Sequence, residues 1–196
     1  IGHVRASTVG NVSTSNCHPF AYDKFAFCHN GGIEKFELIK RELRRSLCDK
    51  LYNNILGLTD SEHFFALLMN FYFKIKAKYN FNKFIECFQN AASRVIELQK
   101  KHNIPVMVHL NTVLTDGEQL LATRYSTDKE LSLFYTAGHH LKQKNNKPVM
   151  QTDMNNPSSV LVASEPLGDY SDVWHEVPKN HALIIGKKLT INLSKL

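Results

Sequence analysis

Residues 27–33, Phe-Cys-His-Asn-Gly-Gly-Ile, mark the point around which the rest of the chain is arranged. An apolar run that begins at Phe25 stops within this stretch, and a helical pattern starts at its last residue. We therefore predict a short strand over residues 25–29 that turns at the Asn-Gly pair and passes into a helix. Glycine at this turn permits positive φ and the close approach of another group.

Asn30 and Gly31 admit two interpretations. A side-chain amide and free backbone N–H groups at the end of a strand are the parts of an oxyanion hole, in which preorganised donors face a developing negative oxygen. Asn-Gly is also a common tight-turn signal with no chemistry attached. The stretch by itself favours the simple turn, so the rest of the chain has to decide between the two.

The composition is that of an ordinary globular domain. The 196 residues are 43% hydrophobic and 21% charged, which suits a single domain, residues 1–196, with a substantial core. No apolar run is long enough to span a bilayer, and the first residues lack the apolar stretch of a signal peptide. The four cysteines form no C-x-x-C pair. We interpret them as reduced thiols of a cytoplasmic protein that has no zinc site.

The formal net charge of +6 comes largely from lysines and arginines in predicted helices. Their spacing places most of them on faces toward water. The neighbouring aromatic residues are not interleaved with these charges in the way of a base-stacking platform. We therefore expect solvated helix faces, with neither nucleic acid nor a membrane as a partner.

Apolar periodicity predicts three helices in the first half of the chain. They cover residues 33–48, a segment that starts near Asp60, and residues 82–102. Thr59 followed three residues later by Glu62 is a capping box at the start of the second helix.

The second half is predicted to consist mainly of strands. Thr-Asp-Gly-Glu at residues 115–118 is a hairpin signal. The expected strands cover residues 106–114, 119–125, 131–136, 159–163, 181–185 and 189–193. The polar residues 138–158 indicate a long loop or a protruding hairpin, and residues 8–24 indicate a loop. This order of elements predicts an α+β fold, with helices packed on antiparallel sheets.

The chain begins directly with a strand-like pattern over residues 1–7. Because a strand needs a neighbour in a sheet, we expect an N-terminal portion that lies upstream, has been cleaved, or is carried on another chain. A sheet edge left without that portion would be prone to pair with another strand.

Four short motifs occur in a characteristic order. They are His-Val-Arg-Ala-Ser-Thr-Val-Gly at residues 3–10, Asn-Cys-His-Pro-Phe at 16–20, His-Asn-Gly at 29–31 and Thr-Asp-Ser-Glu at 59–62. Together they resemble the class II glutamine amidotransferase domain, which is an N-terminal-nucleophile amidohydrolase. Val-Ala-Ser-Glu-Pro-Leu at residues 162–167 and Asn-His-Ala-Leu-Ile-Ile at 180–185 are similar to one branch of it. That branch holds the amidotransferase subunit of the cytosolic glutathione-degrading complex and the related bacterial γ-glutamyl amidohydrolases.

The resemblance covers nearly the whole chain and implies both a fold and a pocket. The implied fold is a four-layer αββα sandwich, here without its first strands. Arg5 matches the arginine that binds the substrate α-carboxylate, a role that suits a guanidinium fork, although a surface arginine is the alternative. Asp60 matches the aspartate that pairs with the α-ammonium, although an acid at a helix start also serves as a cap. The Asn30 side chain and the Gly31 N–H match the oxyanion hole.

Three further residues are placed near the pocket by the same resemblance. Thr8 matches the loop threonine that shapes the pocket. His18 is expected to hold its loop in place rather than to transfer protons, and His29 is expected to support the pocket.

The nucleophile in the family is a cysteine at the mature N-terminus, which attacks the amide carbon and forms a γ-glutamyl thioester that water then hydrolyses. The present sequence begins with Ile1, so no residue of this chain takes over that role. Cys17 lies next to His18, but adjacent residues on an extended segment point to opposite sides, which argues against a catalytic pair. Cys28 is expected to lie in the core.

The resemblance implies a hydrolase of γ-glutamyl amides, with glutathione or glutamine as substrate and with no metal or organic cofactor. It also implies a peptidase-like partner subunit that handles the dipeptide product, or a chain that supplies the N-terminal segment. The alternative is a catalytically dead or truncated pseudo-amidotransferase that acts as a binding or partner subunit.

Overall fold

The computed structural model describes residues 1–3, 14–75, 78–144, 147–167 and 173–196, and for 140–144 and 147–150 it describes the backbone alone. A short 3₁₀ turn, Thr14–Asn16, precedes the regular elements. The helices are α1 (Phe36–Arg45), α2 (Asp49–Asn54), α3 (Asp60–Lys74) and α4 (Lys83–Lys101). The strands are β1 (Phe20–Tyr22), β2 (Phe25–Ile33), β3 (Val108–Thr115), β4 (Leu120–Ser126), β5 (Phe134–Lys144), β6 (Lys147–Thr152), β7 (Ser159–Ala163), β8 (His175–Glu176), β9 (His181–Ile185) and β10 (Ile191–Lys195).

The first sheet has the strand order β1-β2-β3-β4-β9-β10, and all of its pairings are antiparallel. Its strand β2 is longer than the sequence predicted. The prediction that the strand stops at the Asn-Gly pair is wrong, because the pairing with β3 continues through Asn30, Gly31 and Gly32 to Ile33, which lies opposite Val108. The two glycines therefore lie within the sheet, and the turn comes after them.

The predicted helix over residues 33–48 is also corrected. Ile33 belongs to β2, the turn follows at Glu34-Lys35, and Lys35 has a φ of 49°. The helix α1 ends at Arg45, and a separate short helix α2 follows, which the sequence analysis did not identify. The helices predicted from Asp60 and over residues 82–102 are confirmed as α3 and α4.

The larger core lies between the helices and one face of the first sheet. It is rich in phenylalanine, and its largest fully buried side chains include Phe27, Phe64, Phe84 and Phe88. Phe27 of β2 stacks on Phe65 of α3 with ring centroids 5.0 Å apart. This packing fixes the start of α3 against the middle of β2, which places the candidate site.

The second sheet has β5 at its centre, with β6 on one side and β7 on the other, and β8 pairs with the start of β5. A smaller core joins it to the opposite face of the first sheet. Arg124 crosses between the layers from β4. Its guanidinium donates to the carbonyl oxygens of Leu131 at 2.5 Å and Val177 at 2.6 Å, and it lies 2.7 Å from the carboxylate of Glu176. This buried arginine holds the two sheets together, and the sequence analysis did not single it out.

The strands predicted over residues 159–163 and 181–185 are confirmed residue for residue as β7 and β9. Within the polar segment, residues 138–144 form the far part of β5 and residues 147–152 form β6, so the hairpin alternative is the correct one. The strand predicted over residues 131–136 begins later and runs on as β5. In the segment before it, the Leu131 carbonyl accepts from Arg124 and the Ser132 carbonyl accepts from Asn111.

The α+β class and the sandwich arrangement are confirmed. Within the described ranges the layers are helices, first sheet and second sheet, and no described helix covers the outer face of the second sheet. None of the helices in those ranges has the length and apolar character needed to cross a membrane. The strand predicted at residues 1–7 lies mostly outside the described residues, and the part of the predicted loop over residues 8–13 lies wholly outside them.

Candidate active site

The start of α3 lies directly against the end of β2. The Asp60 carboxylate accepts a hydrogen bond from the backbone N–H of Ile33 at 2.9 Å and another from the N–H of Ser61 at 2.8 Å. A Cβ placed on Gly32 would lie 3.7 Å from Asp60 Oδ2. Asp60, which is half-buried, is thus held beside the Asn-Gly-Gly segment by backbone donors.

His29 of β2 makes hydrogen bonds to both β3 and α3. Its Nε2 lies 2.8 Å from the carbonyl oxygen of His109 on β3, and its Nδ1 lies 2.9 Å from Ser61 Oγ on α3. Because a carbonyl oxygen can only accept, Nε2 carries the hydrogen, and Nδ1 accepts from the Ser61 hydroxyl. The buried ring therefore ties β2, β3 and α3 together at the residue that precedes Asn30.

Gly31 has no room for a side chain. Its φ is 150°, and a Cβ at this position would lie 2.9 Å from His29 Nε2 and closer still to the carbonyl oxygen of His109. An alanine here would have to displace either the sheet backbone or the buried imidazole. The close approach that the sequence predicted at this glycine is present, although it arises inside the strand and not at its end.

The segment before α3 is also fixed by hydrogen bonds. Thr59 is the N-cap, and its hydroxyl oxygen accepts from the N–H of Glu62 at 3.2 Å, as the capping-box pattern predicts. The Glu62 carboxylate does not turn back to Thr59. It accepts from the N–H groups of Leu56 at 2.8 Å and Gly57 at 2.7 Å. Burial raises the pKa of Glu62 in spite of these two donors.

The 3₁₀ turn packs against the same segment. Asn16 Oδ1 accepts from the N–H of Leu58 at 3.0 Å. A Cβ on Gly57 would lie 2.5 Å from Asn16 Oδ1, 2.7 Å from the Ser15 carbonyl oxygen and 2.8 Å from Glu62 Oε2. Glycine at position 57 therefore lets the turn, the loop and α3 meet.

His63 follows Glu62 on α3 and is fully buried. Its Nδ1 donates to the Thr59 carbonyl oxygen at 2.7 Å, and its ring meets that of Phe36 edge-on. Nε2 has no hydrogen-bond partner within the described part of the chain. Burial, reinforced by Arg44 and Lys40, lowers the pKa of His63 to about 4, so the ring is neutral at physiological pH.

Asn30 lies on the other face of β2. Side chains alternate along a strand, and Phe27 belongs to the helix-facing core, so His29 shares the helix side and Asn30 faces the second sheet. Asn30 is exposed and is paired in register with Asn111 on β3, which is buried. Asn111 could not be singled out from the sequence, because nothing in the surrounding residues 108–115 marks it apart from an ordinary strand position.

The remaining predicted residues are placed as follows. Arg5 and Thr8 lie outside the described residues. His18 makes ring contacts with His3, at a centroid distance of 4.1 Å, and with Phe20, at 4.7 Å. The structure therefore brings Asp60, Gly31 and His29 together, with Asn30 next to them on the opposite face of the strand.

Ser61 and the His109 carbonyl are site residues that the sequence analysis overlooked. Ser61 stood within the quoted Thr-Asp-Ser-Glu motif, and its position next to Asp60 was the available signal. The carbonyl of His109 has no signal in the sequence, since only the register of β2 against β3 brings it to His29. Within the described ranges no three His, Cys, Asp or Glu side chains form a group able to hold a metal ion.

The family model described as "Glutamine amidotransferases class-II" matches residues 1–192. The probable glutamine amidotransferase DUG3 of Saccharomyces cerevisiae is 37% identical over 211 residues, which cover 97% of this chain and 57% of that relative. A glutamine–fructose-6-phosphate aminotransferase (isomerizing) of Bradyrhizobium diazoefficiens is 46% identical over 46 residues, or 24% of this chain and 8% of that relative. The match to the yeast relative thus covers nearly all of this chain but little more than half of that relative.

Two solved structures share the fold. A glutamine aminotransferase class-II domain protein from Silicibacter pomeroyi superposes with a TM-score of 0.72 at 25% sequence identity, covering 94% of this chain and 72% of the other. An allosteric regulatory enzyme of purine biosynthesis superposes with a TM-score of 0.55 at 16% identity and covers 98% of this chain and 34% of the other. The second likeness concerns the fold alone.

Proposed function

Because the chain belongs to the class II glutamine amidotransferase family, we propose that it binds the glutamyl end of a γ-glutamyl amide and takes part in its hydrolysis. Glutathione and L-glutamine are the two proposed substrates. The observation that carries the proposal is the position of Asp60, whose carboxylate is held by the N–H of Ile33 beside the Asn-Gly-Gly segment.

Asp60 is proposed to receive the α-ammonium group of the substrate. Its two oxygens each accept one backbone N–H, and a carboxylate oxygen can accept a second hydrogen bond. The backbone bonds fix the direction of the carboxylate, so the group does not have to be ordered when the ligand binds. Arg5 is proposed to receive the α-carboxylate through its guanidinium fork, with Thr8 shaping the same end of the pocket.

Asn30 and Gly31 are proposed to form the oxyanion hole. As a nucleophile adds to the γ-carbonyl carbon, the carbonyl oxygen gains negative charge, and the Asn30 amide and the Gly31 N–H stabilise it. The C–N bond then breaks, the amine leaves with a proton, and the acyl group remains on the nucleophile until water releases glutamate. The nucleophile in this proposal is an N-terminal cysteine thiolate supplied from outside residues 1–196, with the α-amine as base. His29 is proposed to keep this corner rigid.

A partner subunit and a compartment complete the proposal. Hydrolysis of glutathione would release glutamate and a dipeptide, so a peptidase-like subunit is the proposed partner. The proposed location is the cytoplasm, as the widely spaced cysteines indicated.

The test is a titration of the protein with L-glutamine, with glutathione and with glutaramate, which is L-glutamine without its α-amine. We expect L-glutamine or glutathione to bind and glutaramate to bind at least about tenfold more weakly, because Asp60 then has no cation to receive. Equal binding of glutaramate and L-glutamine would contradict the role of Asp60. Release of glutamate from the bound compound, measured on protein that also carries the N-terminal cysteine segment, separates hydrolysis from the alternative of a binding subunit without activity.

A further inference from the structure

Asn111 carries a buried acceptor that has no partner. Its Nδ2 donates to the carbonyl oxygen of Ser132 at 2.7 Å. Because that carbonyl can only accept, the nitrogen of the amide must face it, which assigns the other atom as Oδ1. Oδ1 is shielded from solvent and has no hydrogen-bond partner among the residues that the structure describes. An acceptor in this state is unfavourable unless another group pairs with it.

Asn30, the residue directly opposite Asn111, offers the N–H donors that this acceptor lacks. Asn30 is the cross-strand partner of Asn111 in the β2–β3 register, and both side chains lie on the face toward the second sheet. The Asn30 amide offers two N–H donors and is exposed, and within the described ranges it makes no hydrogen bond. Directly opposed residues in an antiparallel pair have Cβ atoms about 5 Å apart, so one amide reaches the other by rotation of the Asn30 side chain.

We propose that Asn111 is a positioning residue, whose Oδ1 accepts one N–H of the Asn30 amide and thereby aims the second N–H at the carbonyl oxygen of the substrate. The inference rests on the proposed function for the identity of that substrate oxygen. The pair itself depends only on the register, on the unpaired Oδ1 of Asn111 and on the two N–H donors of the exposed Asn30 amide.

The hydrogen bond from Asn111 to Ser132 lets Asn111 orient the Asn30 amide. Asn111 is held by its nitrogen and is buried, so its acceptor has a fixed position. Asn30 is exposed and has several rotamers available, and an oxyanion donor stabilises charge only to the extent that it is already oriented. One bond to Asn111 selects a single rotamer and leaves one donor hydrogen pointing away from β3.

Hydrogen exchange of the Asn30 side-chain amide tests the pair directly. Its signal in a ¹⁵N-labelled sample is identified by its loss in Asn30→Ala. In Asn111→Leu, which keeps the branched shape but removes both the acceptor and the donor to Ser132, we expect the Asn30 amide protons to exchange about fivefold faster. The matched control is Thr112→Val, which removes the buried hydroxyl pair between Thr112 and Thr123 on the other face of β3, and which leaves the exchange unchanged.

Unchanged exchange in a folded Asn111→Leu protein overturns the inference. If Asn111→Leu does not fold, Asn111→Ser replaces it, because its hydroxyl is too short to reach Asn30, and its exchange is judged in the same way.

Titration with L-glutamine separates this inference from the proposed function. We expect Asn111→Leu to weaken binding about fivefold in the unchanged background and not at all in the Asn30→Ala background. Losses that add in the double variant overturn the inference and leave the proposed function standing. If the unchanged protein does not bind L-glutamine, the proposed function fails, and the exchange measurement still decides whether Asn111 positions Asn30.

Discussion

Two aspartates sit near opposite ends of the same strand pair, β2 and β3, and their surroundings differ. Asp116 follows β3, and its side chain is almost fully buried. It accepts from the Tyr79 hydroxyl and from the N–H groups of Glu118 and Gln119, and the Lys24 ammonium lies 3.9 Å away. Asp60, at the other end, is half-buried and accepts mainly from backbone N–H groups.

The difference shows how one type of side chain serves two purposes. Burial alone would raise the pKa of Asp116, but the hydrogen bonds from Tyr79, Gln119 and Glu118 outweigh it and lower the pKa below the ordinary value. This carboxylate is saturated and holds together the turn, the Lys24 loop and the segment before α4. Asp60 is oriented by backbone donors but has no cation against it in the described residues, so it keeps capacity for a ligand.

The largest effect is expected for Asp60→Asn. We expect it to weaken L-glutamine binding by about 4 kcal/mol, or roughly a thousandfold, because the neutral amide cannot pair with an ammonium group. The amide oxygen still accepts the N–H of Ile33, but the NH2 group faces the N–H of Ser61, so we also expect the free energy of unfolding to fall by about 1 kcal/mol. The control is Asp49→Asn, which removes another acid from the first turn of a helix, α2. Calorimetric titration of both variants checks the prediction, and wild-type affinity in Asp60→Asn would contradict it.

Asp116→Ala is expected to have the opposite profile. It leaves the Tyr79 hydroxyl and two backbone donors without their acceptor, so we expect the free energy of unfolding to fall by about 3 kcal/mol. L-Glutamine binding should stay within about twofold of the unchanged protein, because Asp116 lies at the far end of the strand pair. Urea denaturation gives the first quantity. A stability loss below about 1 kcal/mol would show that the cluster is not the structural clamp described here.

Acidification should affect stability first through His63 on α3, and only at lower pH through Asp116. The pKa of His63 is about 4 in the folded protein, against about 6.5 in the unfolded chain. Between these values the unfolded chain holds more protons, so stability falls as the pH drops from 6.5 to 4, by up to about 3 kcal/mol. The depressed pKa of Asp116 acts at lower pH, since its contribution is lost only as the pH falls below the ordinary aspartate value of 3.8.

The variant that tests this is His63→Leu. Urea denaturation at pH 7 and at pH 4.5 should show a smaller loss of stability for His63→Leu than for the unchanged protein. Equal losses in both proteins would show that His63 is not the group that titrates.

The smallest effect is expected for Ser61→Ala. It removes the hydroxyl that donates to His29 Nδ1 at 2.9 Å and leaves a buried ring nitrogen unpaired. We expect a loss of about 1 kcal/mol in the free energy of unfolding. Ser46→Ala is the matched control, since that hydroxyl donates to the Leu43 carbonyl at the end of α1, away from the strand pair. A loss in Ser61→Ala no larger than in the control would argue against the His29 bridge.

Much of the fold could be predicted because its elements carry local signals. The apolar periodicity of α3 and α4 and the hairpin turn before β4 are properties of neighbouring residues, and these elements lie where they were expected. The end of β2 was misplaced for a physical reason. Gly31 and Gly32 disfavour a strand locally, but pairing with β3 across the sheet holds them in one, and no local signal reports that pairing.

The candidate site could be predicted only in part. Asp60, Asn30 and Gly31 stand in short motifs that resemble those of a known family, and that resemblance singled them out. Asn111 and the carbonyl of His109 come to the site through register, which the sequence does not display. Arg5 and Thr8 stay predictions, since they lie outside the described residues.

Gly57 has a consequence for how this protein can be altered. Three oxygen atoms, two from the 3₁₀ turn and one from α3, crowd the place that the Cβ of any other residue would occupy. The flanking leucines, Leu56 and Leu58, are 79% and 56% exposed and could be exchanged for polar residues to suit a new surface. Replacing Gly57 in a redesign would therefore require rebuilding the 3₁₀ turn, the loop around position 57 and the start of α3 together.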